Sequence, residues 1–87
     1  MSRSRDQYYN EIWKQTMAYL LDHGNIEAEI INTFYSTAEL RELNDDKIIL
    51  VVPNIISKSI MQNEREILES AFVEILDYDH PVHVEIM

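Results

Sequence analysis

Lys47-Ile48-Ile49-Leu50-Val51-Val52-Pro53-Asn54-Ile55-Ile56 is the stretch on which the fold turns. Its first six residues are rich in β-branched side chains, the composition of a strand buried in a sheet. Pro53 has no N–H to give to a ladder, so the strand stops there. Asn54 has a short side-chain oxygen that can accept from the N–H groups of a first helical turn, so a helix starts there. Strand, stop and helix are thus written into ten residues.

Working back toward the N-terminus, Asn44-Asp45-Asp46 is a turn cluster. Before it, Ala38, Leu40 and Leu43 alternate with Glu39, Arg41 and Glu42. This predicts an antiparallel partner strand with one wet face, and so a β-hairpin. Further back the period changes to three and four. Tyr9, Ile12, Trp13, Thr16, Met17, Leu20 and Leu21 share one face of a helix read from Tyr8 to Leu21, with residues 1–7 as a flexible lead-in. Gly24 is expected to end this helix in a left-handed conformation, and Asn25 to cap a second one. In that second helix Glu27 and Glu29 complement the N-terminal dipole, and Ile26, Ile30, Ile31 and Phe34 form the buried stripe.

Working forward from Asn54, the spacing predicts a helix with Ile55, Ile56, Ile60 and Met61 on its apolar side. Asn63 with Glu66 has capping-box spacing, which places a break near Gln62-Asn63. Ile67, Leu68, Ala71, Phe72, Ile75 and Leu76 carry the next stripe. Val82, Val84 and Ile86 alternate with His83 and Glu85 in a closing strand. The order α-α-β-β-α-α-β describes an α+β domain, with helices packed on a small three-stranded sheet.

Composition narrows the function. In 87 residues there is room for a single domain, residues 1–87, whose core is modest. Zero cysteines exclude a disulfide scaffold and thiolate metal sites, and one glycine excludes a P-loop or a dinucleotide-binding turn. His80 and His83 straddle a proline and match no ligand motif; they are read as surface histidines. Glu27, Glu29, Glu39, Glu42, Glu64, Glu66, Glu69 and Glu74 fall on wet faces rather than in an acid–base pair. No catalytic, cofactor or metal site is therefore assigned. Seven Lys plus Arg against sixteen Asp plus Glu give a net charge of −9, which repels phosphates. The longest apolar run, Ile48 to Pro53, is too short for a membrane span. Without an export signal at the N-terminus, the cytoplasm is the expected compartment.

The same residues resemble the N-terminal domain (domain I) of the bacterial chromosomal replication initiator DnaA. Ile12-Trp13-Lys14 reproduces the Trp of that family's first helix. Ile31 and Phe34 stand where its second helix carries an aromatic pair. Ile48 through Ile56 resembles its apolar strand running into Pro-Asn and a helix. The resemblance extends from about Tyr9 to Ile86. It implies a KH-like fold without the GxxG loop that grips nucleic acid in KH modules, since Gly24 stands alone. It also implies a protein–protein interaction hub that self-associates and receives the replicative helicase and initiation regulators. Met87, just past the last strand, fits an excised piece of a longer initiator better than a freestanding relative.

Carried over residue by residue, the resemblance gives five partner-binding positions. Trp13 would serve self-association or simply pack in the core. Thr33 and Phe34 would form an edge of the second helix, with Phe34 also suited to the core. Asn54 would touch the helicase or a regulator while capping its helix. Ile56 replaces a family Phe and offers less flat area for the same contact. Two other readings remain open at this point. One is a KH-like module for single-stranded nucleic acid, opposed by seven scattered basic residues. The other is a small dimeric regulator that associates through Tyr8, Tyr9, Trp13 and Tyr19.

Overall fold

The computed structural model describes residues 3–24 and 26–87. Helix α1 (Arg3–His23) is followed by a short α2 (Ala28–Thr33) and a 3-10 turn (Tyr35–Thr37). A hairpin of β1 (Glu39–Leu43) and β2 (Lys47–Val51) comes next. Helices α3 (Ile55–Asn63) and α4 (Arg65–Leu76) then lead to β3 (His83–Ile86). The sheet order is β1-β2-β3, antiparallel in the first pair and parallel in the second. The architecture is α+β, as the alternation of periods predicts, with the helices packed on a three-stranded sheet.

Period decides which side chains go inside. On β2, Ile48 and Leu50 are fully buried, while Ile49 and Val51 are half-buried on the outer face. Val84 and Ile86 continue the inner face on β3. In β1, Leu40 and Leu43 are three apart and could not share a face in a regular strand. A bulge solves this: Leu40 pairs with Leu50, Glu42 with Ile49 and Leu43 with Ile48, leaving Arg41 as the extra residue.

Helix α1 lays Ile12, Trp13, Thr16 and Leu20 against this core, and Thr16 satisfies its hydroxyl by donating to Ile12 O at 2.7 Å. From α4 come Leu68, Ala71 and Phe72. The Trp13 ring stacks with both Tyr35 and Phe72, with centroids 6.3 and 5.9 Å away and interplanar angles of 4° and 19°. Its indole N–H donates to Tyr35 O at 3.2 Å. A buried indole needs such a partner, and here the 3-10 turn supplies it.

Several local expectations are corrected. The first helix takes in residues 3–7, expected as a flexible lead-in. Leu21 lies outside its buried stripe and is exposed. Gly24 does not adopt a positive φ. What it requires is closeness, since its N–H bonds to Leu20 O at 2.9 Å and an added Cβ would sit 2.9 Å from that same oxygen. Asn25, expected as a cap, lies outside the described residues. The residue preceding α2 is Glu27, which makes no side-chain cap. The α3–α4 break falls at Glu64 and not in a capping box at Asn63; backbone bonds from Glu64 N to Met61 O and from Leu68 N to Glu64 O carry the chain across it.

Candidate functional site

The end of β2 builds a corner from the residues that decide the fold. Val52 N–H still donates to Met87 O at 3.0 Å, so pairing with the β3 side continues one residue beyond the strand. Pro53 then ends donation. Asn54 is extended, and its Oδ1 accepts from Ser57 N–H at 2.8 Å while its own carbonyl accepts from Lys58 N–H at 3.1 Å. These two bonds fix the first turn of α3.

Ser57 and Met61, four apart, are the buried positions of that helix, with Ile60 half-buried. The expected inward placement of Ile55 and Ile56 is therefore corrected. They stand 79% and 62% exposed, side by side on a rigid turn. The sequence signal that could have found this is the i−4 step from Met61, which lands on Ser57. A serine facing the core is easily read as a wet position.

Trp13 is 5% exposed and belongs to the core, so of its two readings the structure takes packing. Thr33 is exposed at the end of α2. Phe34 is half-buried and packs on the core. It also holds the junction of α2 and the 3-10 turn: its N–H donates to Ile30 O, and its carbonyl accepts from Thr37 Oγ1 at 2.7 Å. The register pairing Glu39 with Val51 sets the start of β1 at the same end of the sheet as Val52 and Met87. The 3-10 turn therefore approaches the end that carries Asn54, Ile55 and Ile56. No hydrogen bond or ion pair joins Thr33 or Phe34 to Asn54 or Ile56. The five positions thus resolve into one core residue, one helix-end edge and one corner.

Sequence reasoning missed Tyr35. It is fully buried, its hydroxyl has no partner, and burial first and the Glu64 carboxylate second push its pKa upward. Also missed was the role of His80, whose Nε2 meets Asp45 O in the hairpin turn and whose Nδ1 meets Asp79 Oδ1 at 3.3 Å. It ties the loop before β3 to the hairpin.

A groove of about 790 Å³ lies between α4, Tyr19 of α1 and the loop before β3, and none of the five positions lines it. Asn54, Ile55 and Ile56 stand exposed, which suits contact with another macromolecule better than enclosure of a small ligand. Among the described residues no group of three or more His, Cys, Asp or Glu could hold a metal ion, and no helix is long and apolar enough to cross a membrane. No protein-family model matches this chain, and no curated protein or solved structure matches it either.

Proposed function

We propose that this chain is a cytoplasmic protein–protein interaction domain of a bacterial DNA replication initiator, mediating self-association and recruiting the replicative helicase and initiation regulators. It carries out no reaction of its own in this reading. The observation that supports docking is the pair Ile55 and Ile56, held outward on a turn that Asn54 caps. Single exposed apolar residues are ordinary, but two adjacent ones on a rigid turn offer preorganised contact area. The partner class comes from the resemblance of Ile48 through Ile56, and of Ile12-Trp13-Lys14, to the initiator family. With Trp13 in the core, self-association falls to exposed groups such as Tyr8, which is 51% exposed, and Thr33. Weak contacts of this kind gain strength when many initiators stand side by side, because each raises the effective concentration of the next.

The test is an NMR titration of the labelled chain with the cognate helicase and regulators. Shifts should cluster at Thr33, Phe34, Asn54, Ile55 and Ile56, and Ile55→Ser with Ile56→Ser should weaken them without unfolding the domain. Saturating partner with no shift in that cluster would refute the reading.

A further inference from the structure

Both ring nitrogens of His80 face acceptors. Nε2 meets Asp45 O in the hairpin turn, and Nδ1 meets Asp79 Oδ1 at 3.3 Å. Neither a carbonyl oxygen nor an ionised carboxylate has a proton to give. Neutral imidazole carries one N–H, so it answers one of these oxygens and turns a lone pair on the other. Imidazolium carries two and answers both. The arrangement is complete only when His80 holds its second proton. Its surroundings favour that state. The hairpin turn brings the carboxylates of Asp45 and Asp46, and the loop itself brings Asp79. Helix α4 lines the adjoining groove with Glu66, Glu69 and Glu74, together with the phenols of Tyr19 and Tyr78, and no Lys or Arg lines it. Of these, Glu69 is engaged with Val84 N–H, Arg65 and the His83 ring. Lys47, which follows the turn, pairs with Glu85 at 3.4 Å. The Tyr78 ring stacks on the imidazole, centroids 5.0 Å apart, a contact that strengthens when the imidazole is charged.

What hangs on this side chain is the segment 79–81. Before it, Tyr78 N–H is bonded to Val73 O at 3.1 Å, at the end of α4. After it, Val82 is buried and His83 N–H donates to Asp46 O at 3.0 Å. Between these anchors Asp79, His80 and Pro81 are exposed, and their main chain makes no hydrogen bond among the described residues. The imidazole is what fastens them to the hairpin turn. The same three residues, with Tyr78 and Val82, line the groove of about 790 Å³ beside α4. Where the segment sits therefore sets the shape of that groove.

We propose that His80 is a proton-operated clasp: doubly protonated, it holds residues 79–81 against the hairpin turn, and on losing a proton it releases them and reshapes the groove beside α4. Both acceptors stabilise the charged form, the Asp45 carbonyl first and Asp79 second, so the folded value lies above the ordinary 6.5. The clasp is closed below that value and opens as pH rises through it. The sheet keeps its register, because the main-chain bond from His83 to Asp46 carries no titrating group. The device goes beyond docking at Asn54 and Ile56 and stands or falls separately from it.

The test is NMR on the full isotope-labelled chain, titrated from about pH 5.5 to about pH 8.5. The ring-nitrogen signals of His80 should show two N–H groups at the low end and a midpoint above 6.5. The amides of Asp45, Asp46, Asp79 and His80 should move with that same midpoint. Backbone order parameters at residues 79 and 80 should fall from about 0.85 toward about 0.6 as it is passed. Core amides such as those of Leu50 and Phe72 should keep their exchange protection throughout. In His80→Gln the order of the segment should no longer change with pH, and in Asp79→Asn the change should persist with a lower midpoint. A ring already neutral at about pH 6, or a segment whose order ignores the His80 midpoint, overturns the proposal. So does a transition that survives in His80→Gln, which would give it to another group such as His83. Loss of core protection over the same range also overturns it, because the event would then be unfolding and not the release of one segment.

Discussion

Tyr35 shows how much one residue can hold in so small a core. Its ring stacks on Trp13 and its carbonyl accepts the indole N–H, yet its own buried hydroxyl has no partner. An unsatisfied buried hydroxyl costs about 1–3 kcal/mol. Tyr35→Phe should therefore leave stability unchanged or raise it by about 1 kcal/mol in urea denaturation, whereas Tyr35→Ala should cost about 3–5 kcal/mol. A Phe variant as damaged as the Ala variant would mean that the hydroxyl has a partner after all. Neither the burial of Tyr35 nor its contact with Trp13 was legible in the sequence, since they lie 22 residues apart and Tyr35 falls just beyond the helical stripe. His80 is the other residue whose role is tertiary. The Asp45 carbonyl first, and Asp79 second, raise its pKa above the ordinary 6.5. A raised folded value favours the protonated form, so its contribution is fully present below about pH 6.5 and fades as pH rises through the folded value. The stability difference between the native chain and His80→Gln should accordingly shrink between about pH 6 and pH 8. A difference that stays flat or grows over that range would show that the tie does not depend on the proton.

Elements were legible where a period ran unbroken, and less so where local geometry departed from it. The strands and the two long helices follow directly from their stripes. The bulge at Arg41 does not, because it is the tertiary demand that Leu40 and Leu43 both face inward that ejects one residue from the ladder. The first turn of α3 misleads for the opposite reason: packing prefers the small Ser57 against the core and leaves two isoleucines outside. The end of α4 is a third case. Asp77 takes the left-handed conformation at φ 57°, and Tyr78 N–H bonds back to Val73 O at 3.1 Å, closing a Schellman turn. No glycine marks it in the sequence, and a side chain in that region carries strain that glycine avoids. Asp77→Gly should raise stability by about 0.5–1 kcal/mol, read as a higher denaturation midpoint at unchanged slope. A loss of stability would mean that the Asp77 side chain contributes more than its backbone conformation costs.

At the scale of the whole molecule, charge and shape act together. The Cα radius of gyration is 12.1 Å, close to the Debye length of about 10 Å at 0.1 M salt, so the −9 charge acts across much of the domain at low ionic strength. The carboxylates have few cations to answer them. Lys47–Glu85 at 3.4 Å and Arg65–Glu69 at 3.8 Å are the Lys or Arg ion pairs among the described residues, and both lie at the surface, where such pairs contribute about 0–1 kcal/mol. Net repulsion should outweigh these two attractions. It follows that salt stabilises this domain: Tm should rise by a few degrees as sodium chloride goes from about 0.02 to about 0.5 M, since about 1 kcal/mol moves Tm by roughly 4–8 °C in a domain of this size. Thermal melts over that salt range distinguish the two terms. A Tm that falls with salt would mean that local attractions such as Lys47–Glu85 outweigh the repulsion of the whole.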